Sequence, residues 1–434
     1  MNLTELCSET LPGDLDLSQE VLIGKDLCGE MPRLVAEHAG PRPLWLADPN
    51  TWAALKAADL EHKTGRPTGE EDRHLLPGQA HADSEQVGRV CGLVEGEGFS
   101  GIVAVGSGTV NDIAKMSATL SGVPYIAFAT AASMNGYTSG IAAILADGLK
   151  ITVPARPPRA LIMDSNVLAK APPELAQAGL GDLLSKPVST ADWWLGDRIE
   201  KRGFDELPGR IVDDAVRQAA QHATGLPLGD PLAHAALARA LVLSGASMVA
   251  AGSSSPASGG EHLLSHLWDM EALVCGRPLR LHGAQVGVAT CICTAIYQLL
   301  IDFETPRFPD PPDWTRTSER IRLAHGELAD TVLPQAEKKF SGFAQRSAVL
   351  QKDWPQIRAE LASFGIPSPQ EIRAILQAAQ APSTLAQLEL EKDEAIDALS
   401  RARDIRDLYT VLDLAFEVGF FPAGISKALA QSGV

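Results

Sequence analysis

The stretch GIVAVGSGTVNDIAK, residues 101–115, reads as an apolar strand, a glycine turn and the first turns of a helix. A short apolar run bounded by glycine suits a strand covered on both faces, as in a parallel sheet. Gly106 and Gly108 in the turn let the backbone approach a ligand closely. The free amides that open the next helix favour a pyrophosphate. The pattern is not G-x-G-x-x-G, so alone it fits a phosphate loop and a plain strand–helix turn equally.

The same alternation repeats outward from this unit. VLIG (21–24), RPLWLAD (42–48) and HLLP (74–77) read as strands, and 28–39, 50–60 and 84–97 as helices, the second opening at an Asn50 cap. Beyond it come a helix over 109–121, the strand PYIAFAT (124–130), a hairpin with a DG turn in ILADGLKITVP (144–154), and the strand RALIMD (159–164). Strands and helices alternating at these lengths predict a Rossmann-like, doubly wound parallel sheet. Past APPEL (171–175) strand signals stop. Ala/Leu-rich helical patterns follow at 173–199, 208–223, 231–251, 257–275 and 282–303. After a Pro-rich break (305–313) they resume at 317–333, 346–364, 369–380 and 403–418. The expected organisation is an N-terminal extension (1–20), an α/β dinucleotide-binding domain (21–168) and an all-α domain (169–434), with ligands in the cleft between the two domains.

Composition narrows the function. The chain has 434 residues, 45% hydrophobic and 21% charged, as globular enzymes do. Its 54 acidic against 37 basic side chains give a net charge of −17. That field argues against nucleic-acid partners and against attraction to anionic membranes. No signal peptide and no uncharged apolar stretch of membrane-spanning length are read. Cys7, Cys28, Cys91, Cys275, Cys291 and Cys293 form no C-x-x-C pair, and Cys291 and Cys293 point to different faces of a predicted helix. Reduced thiols in a cytoplasmic protein are the expectation.

Several residues are candidates for chemistry. Asp48 ends a strand, where a carboxylate can accept from an adenosine ribose; in DPNT it can equally cap a turn or helix. As a ribose acid it favours NAD over NADP, whose 2′-phosphate would meet a negative charge. TAASMNGYTSG (130–140) is rich in small hydroxyl and amide side chains, either a cofactor loop at a strand's carboxyl end or a polar turn. GLGDLLSK (179–186) places Asp182 near a helix start. EHLLSHLWDM (261–270) puts His262 and His266 on one helical face, and RLHGAQVG (280–287) puts His282 at a helix start. One carboxylate, two imidazoles and an open position suit catalytic Zn²⁺, Fe²⁺ or Ni²⁺. The plainer alternative is a capping aspartate and a solvated histidine pair. His222 and His234 have no partner pattern around them.

Together these segments resemble the iron-containing alcohol dehydrogenase and dehydroquinate synthase superfamily, and within it the sn-glycerol-1-phosphate dehydrogenases, above all their bacterial branch. GSGTVNDIAK is similar to the family's pyrophosphate loop and FATAASMNGYTS to its nicotinamide and substrate loop. AGLGDLLSK, SGGEHLLSH and LHGAQVGV resemble its three metal segments, and SPQEIRAIL and IRDLYTVLDLAFEVG its late helices. The resemblance implies a dehydroquinate synthase-like fold, with Asp182, His262 and His282 as metal ligands. It implies Asp48, Gly106, Ser107, Gly108, Thr109, Val110, Thr130, Ser133 and Ser139 as cofactor binders, with NAD preferred and NADP admitted. Asp182, His266 and Asn135 fall at substrate positions; Asn135 stands where the family typically has Asp, losing the charge and adding a donor. Lys186, one turn beyond Asp182, is either a phosphate ligand or a solvated lysine. The stretch 304–350 has no clear counterpart.

The implied reaction is reversible reduction of dihydroxyacetone phosphate to sn-glycerol 1-phosphate in a cytoplasmic homo-oligomer. The implied metal is zinc or nickel, with iron also admitted. The rivals are a polyol or other sugar-phosphate dehydrogenase, a dehydroquinate synthase-like cyclase, and a non-catalytic protein that keeps the fold.

Overall fold

In the computed structural model, which describes residues 19–62, 64–67, 69–78, 80–146 and 149–434, the apolar runs pair as strands buried on both faces should. Cys7, residues 1–18 of the expected extension and the DG tip of the hairpin (147–148) lie outside the described residues. The strands are β1 Glu20–Gly24, β2 Pro43–Ala47, β3 Arg73–Leu75, β4 Gly101–Gly106, β5 Tyr125–Ala129, β6 Ile141–Ala146, β7 Leu149–Pro154 and β8 Ala160–Asp164. Six of them form one sheet in the order β1-β8-β5-β4-β2-β3, and every neighbouring pair in it is parallel. Strands β6 and β7 form the expected hairpin, antiparallel and outside this sheet.

Between the strands lie helices α1 Met31–His38, α2 Pro49–His62, α3 Ser84–Glu97 and α4 Gly108–Ser121. Helix α2 is capped by Asp48, not Asn50: Asp48 Oδ1 accepts the N–H groups of Asn50 (2.7 Å) and Thr51 (2.9 Å). Pro49 explains the shift, because proline fits the first helical position and so moves the cap back one residue. Gly98 (φ 70°) and Gly122 (φ 69°) end α3 and α4 in the left-handed conformation that favours glycine.

The helical run read over 173–199 is two helices, α6 Pro173–Leu183 and α7 Lys186–Glu200, after the short α5 Ser165–Leu168. Pro187 disfavours helix at the preceding residue and supplies no amide donor, so the chain restarts there. Asp182 is therefore the penultimate residue of α6, not near a helix start, and it cannot act as an N-cap. Helices α8 Leu207–Gln221 and α9 Pro231–Ala251 follow, then α10 Gly260–Val274 and α11 His282–Ile301. The remainder is α12 Trp314–His325, α13 Ala329–Ser341, α14 Phe343–Ser363, α15 Pro369–Ala378, α16 Lys392–Arg401, α17 Val411–Glu417 and α18 Ile425–Ser432. The expected helices do not include the short α16 and α18, and α17 fills only part of 403–418.

The chain forms two compact units. The first runs to Leu183 and includes Leu207–Ser253, so α8 and α9 belong with the sheet. The second holds Leu184–Glu206 and Ser254–Val434, with α11 packed against α10, α14, α15, α17 and α18. Contrary to the sequence reading, α9 and α11 are long and apolar enough to cross a membrane. Both are mostly buried, as core helices of a globular unit are.

Candidate active site

Parallel pairing brings Asp48, Ser107, Thr130 and Asp164 to one edge of the sheet, at or just beyond the carboxyl ends of β2, β4, β5 and β8. These four residues line a cavity of about 350 Å³ in the first unit, where open parallel sheets bind ligands. The glycine turn is tight. A Cβ on Gly106 would sit 2.5 Å from Cβ of Val110, and one on Gly108 would meet Met134 Sδ at 3.1 Å. Ser107 is the N-cap of α4 without a side-chain cap bond, which leaves the first-turn amides of α4 for an anion. Thr109 and Val110 lie in that first turn.

The second loop is held from inside. Lys115, fully buried, donates from Nζ to the carbonyls of Gly136 (2.5 Å), Ser139 (3.0 Å) and Ile141 (3.1 Å). Burial pulls its pKa down from 10.5 to about 8. Ser139 is buried too, and its hydroxyl bonds the Gly136 and Ile141 carbonyls. Ser133 bonds the Tyr137 hydroxyl, which donates to the Ala131 carbonyl at 2.8 Å. Thr138 donates to the Val242 carbonyl of α9 at 2.7 Å. Asn135 meets Asp182 through its backbone: its N–H donates to Asp182 Oδ2 at 3.3 Å. Asp182, the penultimate residue of α6, is buried.

In the second unit, His262, His266 and His282 form one cluster. Ring centroids lie 6.2 Å apart for 262–266, 5.1 Å for 262–282 and 5.4 Å for 266–282. His262 is buried, so the solvated-pair alternative fails for it. Its Nδ1 meets Glu261 Oε1 at 2.8 Å, and a carboxylate can only accept there. The Ser265 hydroxyl donates to Gln285 Oε1 at 2.7 Å, so toward His282 Nδ1, at 3.0 Å, its oxygen accepts. Both rings therefore carry their proton on Nδ1 and keep the Nε2 lone pair, the form in which imidazole binds a metal. His266 differs: its Nδ1 faces Arg406 Nη2 at 3.2 Å.

Behind this cluster Asp192 accepts from Gly260 N (2.7 Å), Val411 N (2.7 Å) and the Tyr297 hydroxyl, which anchors the start of α10. Burial and the neighbouring Glu261 push its carboxyl well above the usual carboxylate range. Lys186 opens α7 and is buried, with Nζ donating to the Pro256 carbonyl at 3.4 Å, so it is not a solvated helix lysine. His222 and His234 bond carbonyls one turn back, Gln218 O (2.8 Å) and Asp230 O (3.0 Å).

The iron-containing alcohol dehydrogenase family model matches residues 22–172. A glycerol-1-phosphate dehydrogenase [NAD(P)+] of Bacillus velezensis is 31% identical over 92% of this chain and 91% of its own length. The chain belongs to the glycerol-1-phosphate dehydrogenase family. A second family member, from Thermococcus kodakarensis, is 34% identical over 65% of this chain and 79% of its own. A probable glycerol dehydrogenase from Sinorhizobium meliloti shares the fold, with a TM-score of 0.61, 17% identity and coverage of 96% and 97% of the two chains. A Red Sea brine pool alcohol dehydrogenase shares it likewise (TM-score 0.58, 14% identity, 98% of each chain). The protein is thus an oxidoreductase of the iron-containing alcohol dehydrogenase superfamily, with an α/β N-terminal part followed by a helical part.

Sequence reasoning missed the residues that hold the 136–141 turn and the three imidazoles in place. Lys115 closes the stretch that decided the fold, and Glu261 sits beside His262, so adjacency was a usable signal for both. Ser265, Gln285 and Arg406 had none, because their roles arise only once α10, α11 and the segment before α17 pack together.

Proposed function

We propose that this family member catalyses reversible NAD-dependent reduction of dihydroxyacetone phosphate to sn-glycerol 1-phosphate, with Asp182, His262 and His282 holding one divalent metal. The observation that supports the reading is the pair of outer hydrogen bonds, Glu261 with His262 and Ser265 with His282, which leave both Nε2 lone pairs available to a metal. A buried carboxylate on Asp182 completes a donor set of the zinc, nickel or iron type. When bound, the metal supplies a Lewis acid toward the carbonyl oxygen and NADH supplies the hydride.

The chain's own residues do the rest. The amides opening α4, with Ser107 and Thr130, bind the dinucleotide, and Asp48 takes the ribose. Lys115 fixes the 136–141 turn, so that Asn135 is presented on the substrate side. His266 donates the proton that the developing alkoxide needs, and Lys186 serves the substrate phosphate. Reduced thiols among the described cysteines fit a cytoplasmic enzyme, and a homo-oligomer completes the reading.

Elemental analysis combined with NADH oxidation tests the proposal. Native protein should contain about one divalent metal per chain and should oxidise NADH with dihydroxyacetone phosphate faster than with dihydroxyacetone. The His262→Ala variant should lose metal and turnover while still binding NADH. Unchanged turnover in that variant would sink the metal assignment. A preference for unphosphorylated ketoses would move the substrate toward a polyol, as Asn135 in place of aspartate favours.

A further inference from the structure

Three imidazoles crowd together in the second unit; two have their Nδ1 atoms on acceptors, and the third has its Nδ1 on a donor. Arginine has five N–H donors and no acceptor, and keeps its proton at any working pH. A histidine nitrogen 3.2 Å from Arg406 Nη2 must therefore accept. An imidazole that accepts at Nδ1 while neutral carries its hydrogen on Nε2.

We infer that Arg406 is a positioning residue that holds His266 as the Nε2–H tautomer, which makes it a proton donor and keeps it from acting as a third imidazole ligand. His262 and His282 carry the opposite tautomer, Nδ1–H, imposed by Glu261 and Ser265. Rings 5.1–6.2 Å apart are thereby sorted into two ligands and one donor by what each Nδ1 faces. Arg406 precedes α17 and stands 140 residues from His266 in sequence. The donor role given to His266 rests on the proposed reaction; the tautomer does not.

The experiment has two arms, both on the full-length protein. Long-range ¹H–¹⁵N spectra of metal-free, histidine-labelled protein report each ring's tautomer. His266 should show a protonated Nε2 and a bare Nδ1, with His262 and His282 the reverse; a protonated Nδ1 on His266 would overturn the inference without any variant being made. In Arg406→Met the His266 signals should move toward a tautomer mixture, and Arg406→Lys, which still offers only donors, should restore them. The kinetic arm expects kcat for the ketose phosphate to fall at least tenfold in Arg406→Met and to recover in part in Arg406→Lys, with NADH affinity unchanged. A rise in KM for the ketose phosphate at unaltered kcat would overturn the inference, because it would make Arg406 a substrate anchor. Native protein inert toward every ketose would defeat the proposed reaction and leave the spectroscopic arm to judge the tautomer.

Discussion

Replacing Ser265 with alanine deletes one oxygen, and two hydrogen bonds depend on it. Its hydroxyl donates to Gln285 Oε1 at 2.7 Å and accepts from His282 Nδ1 at 3.0 Å. Without that oxygen the metal-free protein has an escape, because His282 can move its proton to Nε2. With His282 as the proposed metal ligand, the loaded protein has none: Nε2 must carry a lone pair, so an unpaired Nδ1–H stays in a largely buried site. The penalty therefore falls on the loaded state. Leaving a buried donor unsatisfied costs about 1–3 kcal/mol. At about 1.4 kcal/mol per tenfold, zinc affinity should drop roughly 10- to 100-fold, the range seen when outer-shell partners are lost. The assay is a competitive chelator titration of zinc against native protein and Ser265→Ala. Ser247→Ala is the control, since Ser247 in α9 is also buried and donates to a carbonyl, Ser244 O at 2.7 Å. Folded Ser265→Ala binding zinc within twofold of native would refute the reasoning, as would an equal loss in Ser247→Ala.

Two further outcomes follow from the first unit. Lys115 has a folded pKa of about 8 against 10.5 when exposed. Between these values the unfolded chain keeps a proton that the folded one has lost, so stability rises with pH there. Relative to Lys115→Met, the native protein should gain about 3 kcal/mol in unfolding free energy between pH 7 and pH 10.5, and urea unfolding at the two pH values that gave no gain would contradict it. Gly106→Ala places a Cβ 2.5 Å from Cβ of Val110, an overpacking that should cost about 1–3 kcal/mol and weaken NADH binding at least tenfold. Gly92→Ala, with no atom within 4 Å of the new Cβ, should leave NADH titrations unchanged.

Legibility in the sequence tracked how local each cause was. The stretch 101–115 carries its strand, turn and helix start in consecutive residues, so its reading stood, and with it the parallel sheet. Where a neighbour competes, local reading slipped. Pro49 moved a cap from Asn50 to Asp48, and Pro187 split one helix into two, which carried Asp182 from a helix start to a helix end. The histidines were legible because one motif spaces His262 and His266 four apart on α10. Their proton positions were not. Those depend on Ser265 meeting Gln285 twenty residues on, and on Arg406 meeting His266 across 140 residues. A short motif can say which atoms are available for chemistry. Which nitrogen of each ring carries the proton is fixed by the helix packing that sets its neighbour, and under the proposed reaction that sorts the imidazoles into metal ligands and a proton donor.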